Sequence, residues 1–302
     1  MNKRINTPTV MAYVTGTPQP GAHHSPRRQP TLLKSRTVDS GARVVARHVG
    51  RRFTTTDGSV DACVDLDLTV EPGSFCVIVG PSGCGKSTFL RMIAGLDHPT
   101  TGTLDVSRPD GRTPTNAMVF HGRTLFPWLT LQQNVAYGLK LSGMDRNTRL
   151  ERAQELLGMV GLVDFQRAWP HQVSEGMRQR VSIARALAVD PDLLLMDEPF
   201  GALDEQTRYL LQEELLRIWE RTGKTVIFVT HSIDEALILA DKIVVMSTHP
   251  GTIRKVIDVP FPRPRFLTEV RSDPAFADLF TTAWSILREE VETGGAFTEG
   301  TA

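Results

Sequence analysis

Residues 80–87 read Gly-Pro-Ser-Gly-Cys-Gly-Lys-Ser, which fits the pattern G-x-x-x-x-G-K-[ST]. These residue types at this spacing suit a polyphosphate. The glycines let the chain turn so that backbone N–H groups face phosphate oxygens. A helix opening at Lys86 adds the partial positive charge of its N-terminus. Lys86 can reach the outer phosphates, and the Ser87 hydroxyl can ligate Mg²⁺. A second constellation follows the apolar run Leu193-Leu-Leu-Met, where the chain carries Asp197 and Glu198. Asp197 closes a strand and can hold Mg²⁺ through water, while Glu198 can polarise an attacking water. The two constellations together point to Mg²⁺-assisted hydrolysis of a bound polyphosphate. Cys84 sits inside the loop beside a helix N-terminus. That setting lowers a thiol's pKa and predicts alkylation of the free protein, with protection by the bound polyphosphate.

The elements that must position these groups are legible in the patterning. Val44–Phe53 and Leu66–Val70 read as antiparallel strands leading into the core. Phe75–Val79 is a continuous apolar run ending in glycine, as a strand buried on both faces requires. A helix is predicted from Lys86 to Ala94, stopped by Gly95. Ala117–Phe120, Leu193–Met196 and Thr225–Thr230 are further buried strands. Leu131–Leu141, Arg146–Met159 and Glu175–Ala188 repeat apolar residues every three or four positions and read as helices. Short strands are expected around Lys242–Met246 and Ile253–Val259. The prolines at 260, 262 and 264 precede one helix near Pro274–Val291. The fold class is therefore α/β: a P-loop NTPase core with a leading antiparallel β subdomain and an inserted α-helical subdomain. The expected organisation is an arm over 1–43, a nucleotide domain over 44–257 with the helical subdomain at about 122–188, and a C-terminal extension over 258–302.

Composition narrows the function classes. Among the 302 residues, 34 Lys and Arg balance 34 Asp and Glu, so the basic excess of a nucleic-acid carrier is missing. Six of the basic side chains fall in residues 1–38, which hold no acidic one. With five prolines in the first thirty residues, that stretch reads as a disordered basic arm. It lacks the apolar segment of a secretory signal. No apolar run approaches the ~18–20 residues of a membrane-spanning helix. Three cysteines fit a reducing compartment better than a disulfide scaffold.

The stretch VSEGMRQRVSIARALAVDPDLLLMDEPFGALD (173–204), with THSIDEAL (230–237) behind it, resembles the ATP-binding subunits of ABC transporters. The segments Leu125-Phe-Pro-Trp-Leu-Thr130, Met177-Arg-Gln-Arg180 and Phe200-Gly-Ala-Leu-Asp204 resemble those of the bacterial importers for nitrate, taurine and alkanesulfonates. The resemblance implies an ATP hydrolase that drives import through a separate membrane permease. It works at the cytoplasmic face of the membrane as one of two cassettes, in a homodimer, with a periplasmic or lipid-anchored solute-binding protein as indirect partner and no nucleic acid. It implies nucleotide contacts from Phe53, on adenine, and from Gly80, Pro81, Ser82, Gly83, Cys84, Gly85, Lys86, Ser87 and Thr88. Ser174 and Gly176 would reach the ATP of the opposite cassette, and Asp204 would link the two sites. His231 resembles the switch histidine at the γ-phosphate. Leu125, Phe126, Trp128 and Leu129 lie at the border that forms the groove for the permease's coupling helix.

Two positions depart from the family pattern. His121 stands where a glutamine that touches Mg²⁺ and water is expected, and imidazole suits Mg²⁺ poorly. Glu175 replaces the first glycine of the signature, and its carboxylate would repel a triphosphate unless it points away. These departures keep open a low-activity cassette paired with an unlike one. A soluble ABC ATPase acting on nucleic acid or ribosomes is the further alternative, disfavoured by the single cassette and the short insert.

Overall fold

The computed structural model of the chain describes residues 41–294 except 57, 121, 123, 202 and 249. Residues 1–40 of the arm expected over 1–43, and His121, lie outside the described residues, while Ala42 is buried and Arg43 already opens the first strand.

Two sheets carry the fold. β1 (Arg43–Thr55) pairs antiparallel with both β2 (Gly58–Val70) and β4 (Thr101–Ser107) to give the order β2-β1-β4. The second sheet is built from β3 (Phe75–Val79), β5 (Asn116–Val119), β6 (Leu193–Asp197), β7 (Thr225–Thr230), β8 (Lys242–Met246) and β9 (Ile253–Asp258). Its order is β5-β6-β7-β3-β8-β9, parallel except for the β8–β9 pair. Side chains of a strand alternate between faces, and here both faces are covered. Phe75, Val77, Val79, Leu194, Met196, Val226 and Phe228 join the core on one face. Cys76, Ile78, Leu193, Leu195, Ile227 and Val229 join the core on the other. That second core also takes Phe89 and Leu90 from helix α1 (Lys86–Ile93) and Val44, Leu66 and Leu68 from the antiparallel sheet. Double coverage explains why β3, β6 and β7 read as unbroken apolar runs.

The helical segment lies between β5 and β6. It comprises α2 (Leu131–Val135), α3 (Tyr137–Leu141), α4 (Arg146–Met159) and α5 (Glu175–Ala188). The expected single helix over Leu131–Leu141 is two. The chain bends at Ala136, whose ψ of −7 ends one helix and starts the next. Thr130 and Gln133 close a capping box on α2. Gln132 donates from Nε2 to the Leu150 carbonyl, so both glutamines after His121 have structural work. The buried Asn134 staples the preceding loop. Its Nδ2 donates to the carbonyls of Phe126, Leu129 and Thr130, and its Oδ1 accepts from the Phe126 N–H.

After β6 come α6 (Glu205–Thr222), then β7, then α7 (Ile233–Leu239). The segment beyond residue 258 carries two helices, α8 (Leu267–Ser272) and α9 (Pro274–Gly294), rather than the expected one. Phe266 starts α8 in extended backbone, and Asp273 separates it from α9. Arg265, almost wholly buried, ties this segment to α7. Its guanidinium donates to the carbonyls of Ala240 (2.5 Å), Ile238 (3.2 Å) and Phe261 (3.0 Å). Burial pulls its pKa down to about 10. Truncation would leave those carbonyls buried without donors. Arg265→Ala is therefore expected to lose about 3–5 kcal/mol of stability. Urea unfolding checks this: the midpoint should fall with an unchanged slope.

Candidate nucleotide site

β3 ends at Val79, and the loop to α1 carries positive φ at Gly83 (80°) and Gly85 (88°). Gly85 has a second reason to be glycine. A Cβ there would meet the Ala62 carbonyl oxygen at 2.6 Å. The loop is thus wedged against β2, and Ala62 joins its cleft. Nothing in the local sequence marks Ala62; the β1–β2 pairing brings it there. Gly85 is also the N-cap of α1 and offers no side-chain acceptor, and the helix has no acidic residue in its first turn. The first N–H groups of α1 are left without a side-chain cap, as an anion site requires.

Lys86 is only 5% exposed. Its Nζ donates to the carbonyls of Gly80 and Pro81, both at 2.7 Å, and lies 3.6 Å from the Cys84 sulfur. The ammonium is held at the loop before any phosphate arrives. The Ser87 Oγ donates to Asp197 Oδ1 at 2.9 Å, which joins α1 to the end of β6. This pair offers two hard oxygen donors side by side, a fit for Mg²⁺. When bound there, Mg²⁺ would neutralise charge on the phosphates.

Glu198 follows in the left-handed region with φ of 47°, and its N–H donates to the Val229 carbonyl. That conformation costs energy for a residue with a side chain. It turns Glu198 into the cleft that Ser82, Gly83, Gly85, Lys86, Ser87 and Thr88 line, a cavity of about 240 Å³. His231 follows the end of β7, and its Nδ1 lies 3.4 Å from Glu198 Oε2. The loop residues, Asp197, Glu198 and His231 are thus brought together.

Phe53, Ser174, Gly176 and Asp204 do not line this cleft. Phe53 lies on β1 with the Arg51 guanidinium 4.6 Å from its ring centroid. Ser174 caps α5, accepting from the Met177 N–H. Gly176 lies in the first turn of that helix. Asp204 caps α6, and the Thr207 N–H it accepts holds its carboxyl below the usual range. Glu175 is neutralised locally. Arg178 donates to its Oε2 from Nε (3.1 Å) and Nη2 (2.6 Å), which ties the carboxylate down along its own helix.

Cys84 corrects the expectation of a reactive thiol. It is fully buried, and desolvation raises its pKa despite the nearby Lys86 ammonium. Cys63 and Cys76 are also buried, and burial pushes them to about 11 and about 12. A raised pKa means less thiolate at any given pH. Iodoacetamide at neutral pH should therefore label the native protein at least ~10-fold more slowly than the urea-unfolded chain, with or without MgATP. Native labelling should set in only above the ordinary thiol range. Mass spectrometry of quenched samples reads both.

Residues 63–201 match the family described as ABC transporter. A curated relative is the nitrate import ATP-binding protein of Synechocystis, 43% identical over 80% of this chain and 93% of its own. The aliphatic sulfonates import ATP-binding protein of Bacillus cereus is 45% identical over 74% and 88%. The taurine import ATP-binding protein of Jannaschia is 40% identical over 77% and 89%. The chain belongs to the ABC transporter ATP-binding family. A solved dimeric ATP-binding cassette in a post-hydrolysis state with ADP and Pi superposes on it with a TM-score of 0.66. That cassette is 32% identical, and the match covers 72% of this chain and 100% of the cassette. The α/β fold expected from the sequence is thus an ABC ATPase fold, and the chain is an ATP-hydrolysing cassette of the import type.

Proposed function

We propose that this cassette powers import of a small oxyanion or sulfonate, of the nitrate, alkanesulfonate or taurine kind, through a separate membrane permease. The observation that carries the reading is the Ser87–Asp197 hydrogen bond, with Glu198 in the same cleft: metal-ligand oxygens and a base converge on the phosphate loop. The names of the relatives support the solute class. None of the described helices is long and apolar enough to cross a membrane, which fits a permease on other chains.

In this reading Lys86 and the loop from Gly80 to Thr88 bind the phosphates, Ser87 and Asp197 hold Mg²⁺, Glu198 orients water and His231 senses the γ-phosphate. Phe53 stacks on adenine. Ser174, Gly176 and Asp204 serve the nucleotide of a second copy when two cassettes close face to face, so their distance from their own cleft is functional. The tie between Glu175 and Arg178 keeps the carboxylate from opposing that approach.

The permease would dock at the helical segment on the cytoplasmic side of the membrane. Trp128 there is 67% exposed although Asn134 pins its loop. An adjoining cavity of about 500 Å³ is lined by Leu125, Pro127, Pro170, His171 and Arg178.

The test is reconstitution of the cassette with its permease and solute-binding protein in lipid vesicles. Nitrate, an alkanesulfonate and taurine are offered in turn. One of them should accumulate only with MgATP on the cassette's side, and its addition should raise ATP turnover. ATP turnover that none of the three solutes stimulates would overturn the solute class.

A further inference from the structure

A second cavity, of about 410 Å³, opens between α6, α7 and α8. Its volume falls within the range of small-molecule sites. Glu205, Arg208, Tyr209 and Gln212 line it from α6, spaced so that they share one helix face. Asp234 and Glu235 line it from α7, and Arg271 from α8.

The polar groups here are incompletely paired. Gln212 is 1% exposed, and its Nε2 donates to Glu235 Oε1, but its Oε1 has no hydrogen-bond partner. The Arg208 Nε is buried without one, 3.8 Å from Glu235 Oε1. Arg271 stacks over the Tyr209 ring at 4.7 Å and lies 3.7 Å from the Asp234 carboxylate, beyond hydrogen-bond reach. A buried orphan acceptor costs free energy until a donor reaches it, and a buried N–H costs until an acceptor does. The two needs are opposite in sign and occur in one cavity. Three carboxylates, from Glu205, Asp234 and Glu235, and the guanidinium groups of Arg208 and Arg271 line the same cavity, with Arg208 beside Glu235 and Arg271 beside Asp234.

We propose that this cavity binds a small zwitterion, with its ammonium group facing Gln212 Oε1 and the α7 carboxylates and its anionic group facing Arg271 and Arg208. The location gives the occupant a route to the nucleotide cleft. Thr230 donates from Oγ1 to Glu235 Oε2 at 2.5 Å and accepts from the Ser232 N–H at 3.1 Å. His231 stands between these two anchors. An occupant that fixes Glu235 therefore fixes the backbone on both sides of His231 and shifts ATP turnover. This effect on turnover rests on the reading of the chain as an ATPase; occupancy does not.

Isothermal calorimetry on the full chain tests occupancy without any turnover. The ligands are β-alanine and taurine, with ethylammonium chloride and sodium propionate as single-charge controls at equal ionic strength. The zwitterions should bind saturably, about tenfold or more tighter than either control. Arg271→Ala and Gln212→Met should each weaken that binding about tenfold, and Arg271→Ala should leave basal ATP turnover at the parent rate. Saturating zwitterion should change the parent's turnover and leave that of R271A unchanged. If the zwitterions bind no better than the single-charge ions, the cavity holds water alone and the proposal fails. It fails equally if both substitutions leave the affinity intact.

Discussion

Glu198→Gln turns over ATP about 10²–10⁴-fold more slowly than the parent, the usual loss when a general base is removed. ATP affinity stays close to that of the parent, because Gln keeps the length and volume of Glu and the Lys86 contacts are untouched. Gln also keeps the backbone at φ 47°, so the strain at this position is unchanged. With binding intact and hydrolysis stopped, the ATP-bound species accumulates. Size-exclusion chromatography in MgATP should then move the variant to twice the monomer mass while the parent stays mixed. Parent-like turnover in E198Q would remove Glu198 as the base and leave His231, 3.4 Å away, as the next group to test.

Lys86→Ala loses ATP binding itself. In the free protein the ammonium is already held by two loop carbonyls, so little side-chain ordering remains to be done when phosphate arrives. Each charge-assisted hydrogen bond to phosphate is worth about 1.5–3 kcal/mol. Losing two of them weakens ATP by roughly 10²-fold or more. AMP, which has no outer phosphates for the ammonium to reach, should be affected far less. Calorimetry with the two nucleotides reads the contrast. Equal losses for ATP and AMP would mean that the substitution has collapsed the loop rather than removed a phosphate contact.

The phosphate loop and the carboxylate pair were legible because each follows a strand buried on both faces. Phe75–Val79 and Thr225–Thr230 have in the fold the bounds their apolar runs predict, as do α4 and α5 from their periodicity. Elements with weaker patterns were not legible. β4 is mostly exposed, contains Gly102 and exists by pairing with β1. α6 has no buried residue before Leu211, and its apolar stripe of Leu211, Leu215, Leu216 and Trp219 is embedded among charges. The Ala136 bend is one residue wide and leaves the apolar spacing intact, so periodicity runs across it. Cys84 misled for a different reason. Its place at a helix N-terminus is visible in sequence, but the burial that outweighs that place belongs to the tertiary fold. The partners of Glu175, Gln132 and Gln133 were likewise hidden, since each depends on which way a side chain turns.

The strand order also bears on how the chain is made. β3 delivers the phosphate loop, yet its two neighbours are β7 and β8: Phe75 pairs with Val226 and Cys76 with Lys242. At ~5–20 residues per second, a ribosome needs about 8–30 s to extend from Phe75 to Val226. Throughout that interval FCVIV is a synthesised, apolar strand with both edges open, the kind of segment that pairs with the wrong chain. The antiparallel β1–β2–β4 sheet can form at once, because its strands lie within one short stretch. The nucleotide site is therefore a late product of translation. Nascent chains stalled ahead of residue 225 should need a chaperone, and neither ATP nor Mg²⁺ can rescue them, because the sheet that aims the loop has yet to close.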